Sequence, residues 1–377
     1  MINTKLLSSE EKIIYRLRSL FEEFGYAPYR MSKFEEYDFY VRNKDFLLSE
    51  DIITFTDTNG KLLALKPDVT LSIARNSDEN QRACQKVYYD ENVYRVSPRA
   101  NGFKEMLQTG VECIGSIGNY EIFEMICLAA RSLNLLNPQY ILDISHLGVI
   151  SALLGEMQVS ADQEKKLLGC LASKNSDGIR KLCTEWVIDS SLVNSLIQVI
   201  SIYGSIITSV MKLKSLCVNE KMADAVSELE EIAANLEAIG GYDDINLDFS
   251  LISDMNYYSG IVFQGFLPAI PEAVLSGGRY DLLMKRMGND LGAIGFAVYI
   301  DNLERLEDET PSGATDAALL YSEESITDIA RAARSLRDRG LRVRVLREKD
   351  CSNNTKDLQA KNIYLLKDGE VNLYEDD

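Results

Sequence analysis

The sequence contains a single histidine, His146, so a mechanism built on a Ser-His or Cys-His pair would depend on that one residue. The seven cysteines are scattered and form no C-x-x-C pair, which predicts reduced thiols and gives no zinc-ligand spacing. No apolar run approaches about 18 residues, so we expect no membrane span. The start of the chain carries acidic residues and no long apolar core, which is not typical of a signal peptide. These absences predict a cytoplasmic protein without a metal or cofactor.

Positive charge is scarce as well. The formal net charge is −18 at pH 7, and the window from Met222 to Gly278 holds ten acidic residues but no lysine or arginine. Such a surface repels phosphate backbones, so it disfavours a nucleic-acid-binding function. The one basic cluster lies near the C-terminus, and we interpret it as a solvated helix face rather than a nucleic-acid contact. It comprises Arg331, Arg334, Arg337, Arg339, Arg342 and Arg344.

The chain of 377 residues is long enough for two or three domains. Apolar runs on either side of Asn59-Gly60 predict a β-hairpin, and helix-forming sequence over about residues 147–240 predicts a helical insertion. A loop-like stretch then precedes a β-α-β pattern. This order predicts an α+β fold, with an antiparallel sheet flanked by helices over residues 1–310 and a small α/β domain over residues 316–377.

Two short motifs carry polar residues that suit a small-molecule site. In "ALKPDVTLSIAR", Asp68 and Thr70 stand where a strand gives way to a helix, so they would either hold an ammonium group or cap the helix. In "LQTGVECIG", Gln108 and Glu112 face the same side of a strand and would either reach one ligand or lie on a solvated sheet face. Arg95 lies between apolar neighbours in "VYRV", which predicts an acidic partner.

Later segments add aromatic residues and glycines. "DMNYYSGIVFQGF" joins Tyr257 and Tyr258 to an apolar run, which predicts a strand that lines a pocket. The glycines of "SGGRYDLL" predict a close approach of a strand or ligand, because their spacing is not that of a dinucleotide-binding fingerprint. His146 lies between a strand-like run and a helical run, where capping or packing is favoured over a catalytic role.

The order of these motifs over about residues 8–306 resembles the catalytic core of the class II aminoacyl-tRNA synthetases, and of histidyl-tRNA synthetase in particular. "LALKPDVTLSIAR" is similar to that family's L-R-P-[DE]-x-T loop, and "VYYDENVYRV" with "KEMLQTGVECIG" resembles its motif 2. The "NYYSG" and "SGGRYD" stretches resemble its histidine-recognition segments, and "GAIGFAVYIDNL" resembles motif 3. The C-terminal α/β domain looks like a shortened anticodon-binding domain.

Departures from the synthetase pattern concern its cations. Ser253 stands where the synthetases carry an arginine ahead of the aromatic pair, and Asn302 stands at the final arginine of the motif 3 pattern G-F-A-x-G-[LI]-[ED]-R. The motif 2 loop offers only Arg99 and Lys104. Adenylation depends on cationic groups that stabilise the ATP phosphates. We therefore expect that amino-acid activation is absent.

A synthetase-like core without these arginines resembles the family of ATP phosphoribosyltransferase regulatory subunits of histidine biosynthesis, whose G-H-x-G…LL segment is similar to "ISHLGVISALL". The resemblance implies a non-catalytic protein that self-associates as a dimer and assembles with the short-form catalytic subunit, commonly into a hetero-octamer. It also implies that the protein supports the activity of that subunit and transmits feedback inhibition by L-histidine. The implied histidine pocket comprises Asp68, Thr70, Arg95, Gln108, Glu112, Tyr257, Tyr258 and Tyr280.

Two alternatives belong to different functional classes. One is an active synthetase or a standalone enzyme that adenylates an amino acid, for which pyrophosphate exchange with histidine and ATP is the test. The other is a histidine-binding sensor with another partner, for which co-expression with a short-form phosphoribosyltransferase is the test.

Overall fold

The structure is a computed structural model that describes residues 7–44, 47, 52–77, 83–97, 102–252, 257–268, 270–306, 315–351, 360–367 and 369–374. The chain divides into two compact units, Met1–Leu306 and Glu307–Asp377. Within the described ranges, every helix is too short or too polar to cross a lipid bilayer. The same ranges hold no cluster of His, Cys, Asp and Glu side chains suited to a metal ion.

A large sheet forms the base of the first unit. The strands of this unit are β1 (Ala27–Pro28), β2 (Phe34–Glu36), β3 (Thr54–Thr56), β4 (Leu62–Leu65), β5 (Gln85–Ser97), β6 (Gly102–Gly115), β7 (Ile141–His146), β8 (Tyr203–Ser205), β9 (Ile245–Asp248), β10 (Ile261–Phe266), β11 (Leu275–Arg279) and β12 (Gly292–Tyr299). Nine of them follow the order β1-β5-β6-β12-β11-β10-β7-β9-β8, and β2-β4-β3 form a second, small sheet. The predicted antiparallel pairing is wrong only for β1–β5 and β7–β9, which are parallel. The α+β class is confirmed.

Helices pack on both faces of the large sheet and form the insertion. They are α1 (Ser9–Glu23), α2 (Tyr37–Arg42), α3 (Thr70–Arg75), α4 (Asn119–Leu136), α5 (Leu147–Met157), α6 (Ala161–Ala172), α7 (Ser176–Glu185), α8 (Ser190–Ile200), α9 (Ile206–Lys214), α10 (Glu220–Ile239), α11 (Asp281–Arg286) and a 3-10 helix at Ile300–Leu306. Helices α5 to α10 occupy the predicted insertion. One short strand that was not predicted, β8, lies among them and pairs with β9 at the sheet edge.

Strand β12 illustrates how the sheet separates core from site. Ile294, Phe296 and Val298 are buried in the main hydrophobic core, against which α1 and α4 pack. Successive side chains of a strand point to opposite faces, so Gly295 and Ala297 face the other side. That second face carries the candidate site.

Two local predictions have different outcomes. The hairpin at Asn59-Gly60 is confirmed, since β3 and β4 are antiparallel and Gly60 has a φ of +79°, a conformation that glycine adopts without strain. The prediction of a strand that begins at the tyrosines is wrong, because β10 begins only at Ile261. Tyr258 instead lies over the sheet, where its ring carbon Cδ1 would be 2.8 Å from a Cβ on Gly278.

The second unit is a small α/β domain. It contains β13 (Thr315–Tyr321), α12 (Ile326–Asp338), β14 (Val343–Arg347), β15 (Ala360–Lys367) and β16 (Glu370–Leu373) in the sheet order β14-β13-β15-β16, with a 3-10 turn at Glu348–Asp350. The predicted β-α-β pattern is confirmed by the parallel pairing of β13 with β14, whereas β16 was not predicted.

The basic cluster belongs to this domain. The side chains of Arg331 and Arg334 are largely exposed on α12, and each forms an ion pair within its own helix, with Asp328 and Asp338 respectively. The interpretation of a solvated helix face is therefore correct for these two arginines.

Candidate functional site

A cavity of about 310 Å³ opens on the face of the large sheet opposite the main hydrophobic core. Strands β6, β10, β11 and β12 form its floor, and the start of α3 and the segment around Tyr257 complete its walls. The sequence-predicted pocket residues all lie around this one cavity. They are Asp68, Thr70, Arg95, Gln108, Glu112, Tyr257, Tyr258 and Tyr280.

Glu112 lies at the buried end of the cavity, with only 2% of its surface exposed. Thr70 Oγ1 donates to Glu112 Oε1 at 2.6 Å, and the Tyr280 hydroxyl donates to Oε2 at 2.6 Å. Burial raises the pKa of Glu112 to about 8, although the two hydrogen bonds lower it and the charge of Asp68 adds to the rise. At neutral pH the empty site therefore holds one exchangeable proton on this carboxyl group.

Glycines on neighbouring strands make room for the buried polar groups. A Cβ on Gly295 would lie 1.8 Å from Glu112 Oε2, and a Cβ on Gly110 would lie 2.4 Å from the Tyr89 hydroxyl. Gly278 takes the ring of Tyr258 in the same way. The predicted close approach at the glycines of "SGGRYD" is thus correct, and the sheet surface is hollowed where these glycines stand side by side.

Arg95 and Asp68 form an ion pair at the cavity wall. Arg95 Nη2 lies 3.2 Å from Asp68 Oδ2, and Arg95 Nε donates to the Pro67 carbonyl at 2.6 Å. Asp68 Oδ1 also accepts the Leu71 N–H at 2.9 Å. The predicted acidic partner of Arg95 is therefore confirmed, and Asp68 caps α3 as the capping alternative proposed. Each side chain keeps hydrogen-bonding capacity toward the cavity, since a guanidinium has five donors and a carboxylate has about four acceptor sites.

Gln108 and the tyrosines enclose the rest of the space. Gln108 is only 3% exposed and lies on the same face of β6 as Glu112, so the alternative of a solvated sheet face is wrong. The ring centroid of Tyr257 lies 4.7 Å from that of Tyr258 and 5.9 Å from that of Tyr280. The three rings form an aromatic wall beside Glu112, which suits a flat, weakly polar group.

Cations near the cavity have carboxylate partners. Lys66 is fully buried and lies 2.8 Å from Glu91, while Lys104 of the motif 2 loop lies 2.9 Å from Asp301. Among the described residues that line the cavity, Arg95 is the only cation. Asn302 donates its side-chain amide to the Ala273 carbonyl and is not a cavity residue. Ser253 and Arg99 lie outside the described residues.

The sequence reasoning missed several cavity residues. Tyr89, Gln264, Ser276 and Tyr299 also line the space. Tyr89, Ser276 and Tyr299 each lie an even number of residues from a glycine or a predicted pocket residue of the same strand, which is the signal that could have found these three. No motif singled them out, because their placement depends on the register between strands that are distant in the chain.

His146 forms part of a second polar cluster at the base of the insertion. Its Nδ1 accepts the Gly148 N–H at 3.1 Å and so caps α5, which confirms the capping interpretation. Since Nδ1 accepts, Nε2 carries the proton and donates to Glu228 of α10 at 3.2 Å. Burial alone would raise the pKa of Glu228, but the hydrogen bond from His146 and the charge of Arg279 lower it below its usual range. Arg279 in turn lies 2.8 Å from Asp281, next to Tyr280 of the cavity.

Replacement of His146 by alanine is expected to lower the free energy of unfolding by about 1–3 kcal/mol, because α5 loses its cap and the partly buried Glu228 loses a partner. Chemical denaturation of the full chain measures the change. The His146→Asn variant is the matched control, since an asparagine amide oxygen restores the cap without reaching Glu228. Equal stability of the alanine variant and the native protein would contradict the assignment.

The fold is that of the class II aminoacyl-tRNA synthetase core. The chain belongs to the histidyl-tRNA synthetase family, whose sequence profile matches residues 5–303. It is 28% identical over 360 residues to a curated protein of Oceanobacillus iheyensis named ATP phosphoribosyltransferase regulatory subunit, an alignment that covers 94% of this chain and 87% of that one.

Solved structures agree with the sequence comparison. A protein of Bacillus halodurans C, described as an ATP phosphoribosyltransferase regulatory subunit/histidyl-tRNA synthetase, matches with a TM-score of 0.79 and 25% identity over 94% of this chain and 93% of that chain. A chain from an ATP phosphoribosyl transferase complex of Thermotoga maritima shares the fold, with a TM-score of 0.60 and 19% identity over 76% of this chain and 96% of that one. The resemblance to the regulatory subunit family is confirmed.

Proposed function

We infer that this chain is the regulatory subunit of ATP phosphoribosyltransferase, the enzyme of the first step of L-histidine biosynthesis, that it is itself non-catalytic, and that its cavity binds L-histidine. The name of the curated relatives that align along most of the chain supports the first part. One structural observation carries the claim that the cavity binds histidine: a buried carboxyl group and an aromatic wall share the cavity with a single arginine. The partner is the short-form catalytic subunit, and no cofactor is needed.

Each part of a histidine molecule has a counterpart in the cavity. Glu112 and Tyr280 are placed to bind the imidazole ring through its two nitrogens, and Tyr257 offers a ring face beside them. Asp68 and the amide oxygen of Gln108 suit the ammonium group, and Arg95 suits the carboxylate. The ligand would therefore lie with its side chain toward Glu112 and its charged end toward the Arg95–Asp68 pair.

The same cavity is poorly equipped for adenylation. Stabilising the charge of a reacting phosphate requires several cationic or donor groups around it. Among the described residues, the cavity supplies only Arg95, which already shares its charge with Asp68. We infer that the positions of Ser253 and Asn302 record the loss of catalytic arginines, and that amino-acid recognition was retained without chemistry.

Regulation follows if histidine binds differently to two states of the assembly, because a ligand shifts an equilibrium only by its difference in affinity. The assembly would be a hetero-octamer built on dimers of this chain. Phe34 and Phe55 support self-association, since they form an exposed aromatic pair on the small sheet with ring centroids 5.5 Å apart. A dimer would remove this apolar surface from water.

The decisive experiment mixes the chain with a short-form catalytic subunit. We expect the rate of phosphoribosyl-ATP formation to rise severalfold, and we expect L-histidine to reduce it in the mixture but not in the catalytic subunit alone. The mass of the complex reports its stoichiometry. Pyrophosphate exchange by the isolated chain would instead identify an adenylating enzyme. Histidine binding without any complex would identify a sensor with another partner.

A further inference from the structure

The cavity-facing residues of β12 increase in size along the strand. They are Gly295, Ala297 and Tyr299, of which the first makes room for Glu112 and the second leaves the floor low. Tyr299 lies directly opposite Gln108 of β6. The open space lies over Gly295 and Ala297. The ring of Tyr299 rises from the floor beyond them, at the end of the cavity that is away from Glu112.

Polar groups lie beside Tyr299. Ser276 on the adjacent strand β11 also lines the cavity, close enough to the Tyr299 hydroxyl to oppose the rise in pKa that burial causes. Burial raises the pKa of Tyr299, and the positive charge of Arg95 opposes that rise, so the phenol lies within electrostatic range of the guanidinium group. Along β6, Tyr299 pairs with Gln108 and Arg95 pairs with Lys104, so both lie on the same side of Glu112, toward the end of the cavity assigned to the carboxylate.

We propose that Tyr299 closes the carboxylate end of the cavity, so that the site accepts a free α-amino acid and excludes derivatives extended at the carboxyl carbon, including those linked to a nucleotide. This inference rests on the proposed function, because the orientation of the ligand comes from the assignment of L-histidine to the cavity. A feedback sensor gains from such a wall, since it responds to the free end product and not to its activated forms.

Two further observations agree with a closed end. The cavity volume of about 310 Å³ is at the lower limit of ligand pockets, which run from about 300 to 1,000 Å³. In the motif 3 pattern G-F-A-x-G, the segment "GFAVY" places Tyr299 at the second glycine. The residue that forms the wall is therefore a large side chain at a position where the synthetase pattern has none.

The test uses titration calorimetry of the full chain with L-histidine and with histidyl sulfamoyl adenosine, whose acyl sulfamate keeps a negative charge next to the carbonyl group. We expect the native protein to bind histidine and to bind the extended analogue at least tenfold more weakly. The Tyr299→Ala variant is expected to gain at least tenfold in affinity for the analogue. The Tyr299→Phe control keeps the ring, so it is expected to keep the exclusion.

Each outcome decides a distinct point. Failure of the native protein to bind histidine would overturn the proposed function and this inference with it. Binding of histidine together with equal binding of the analogue would overturn the inference alone, as would a Tyr299→Ala variant without any gain. If the alanine variant does not fold, a series of histidine amides with growing substituents replaces it, and affinity for the native protein must fall as the substituent grows. An affinity that is constant along the series would overturn the inference.

Discussion

The Glu112→Gln substitution is expected to weaken L-histidine binding by roughly 10- to 100-fold, because it replaces the ionisable partner of the imidazole ring, and hydrogen bonds to charged groups contribute about 1.5–3 kcal/mol. In the complex with the catalytic subunit, the concentration of histidine that halves the rate is expected to rise by the same factor. Calorimetry and inhibition assays measure the two quantities independently. Glu105→Gln is the matched control, since Glu105 lies on the same strand but is exposed and outside the cavity.

The pH dependence of binding separates the role of the Glu112 proton from a purely structural role. Burial raises the pKa of Glu112 to about 8 in the empty site, and the imidazole of free histidine has a pKa of about 6.5. The bound pair shares one proton. Between about pH 6.5 and 8 the free partners also carry one proton in total, so the affinity is expected to be constant. Above about pH 8 they carry none, so binding must take up a proton and the affinity falls by up to about tenfold per pH unit.

Below about pH 6.5 the free partners carry two protons, so binding must release one and the affinity falls again. The Glu112→Gln variant has no such proton and is expected to lose the decline that begins near pH 8. Any loss from the ligand's α-amino group is common to both proteins. An identical pH profile for the native protein and the variant would contradict the assignment of Glu112 to the ring.

The Gly295→Ala substitution is expected to destabilise the protein by about 1–3 kcal/mol and to abolish measurable histidine binding. The added Cβ would lie 1.8 Å from Glu112 Oε2 and 2.4 Å from the Val111 carbonyl oxygen. The carboxyl group must then leave its place between Thr70 and Tyr280, and the backbone of β6 must shift. Denaturant unfolding and calorimetry measure the two effects.

Gly169→Ala is the control for Gly295→Ala. Gly169 lies within α6, and a Cβ there would meet nothing within 4 Å. Alanine is the better helix former, so this variant is expected to be more stable than the native protein by about 0.5–1 kcal/mol. If both glycine variants behaved alike, close packing at Gly295 would not be the cause of the loss.

Local signals predicted much of the architecture. The Asn59-Gly60 hairpin and the helix that begins at Thr70 both follow from turn residues and periodicity close together in the chain. The errors occurred where a distant partner decides the outcome. Strand β8 forms because β9 lies beside it, and Tyr257 and Tyr258 leave the strand because the glycines of β11 leave space for a ring.

The residues of the candidate site likewise fall into those that the sequence predicted and those that it did not. Motif order along the chain predicted the eight residues around the cavity, and the structure brings all of them together. No sequence pattern predicted Tyr89 or Tyr299 as neighbours of that group. Their placement depends on the register of β5 against β6 and of β6 against β12, which the side-chain packing of the whole sheet fixes.

The sequence by itself determined the residue types that the site contains, the scarcity of cations around it and the order of strands and helices, since these depend on composition and on neighbours in the chain. Only the tertiary structure decided that Glu112 is buried between two hydroxyls, that Gly295 makes room for it, and that Tyr299 stands beside the Arg95 end of the cavity. The physical reason is that burial, pKa and cavity shape are set by groups that are far apart in the chain and meet only when the strands pair.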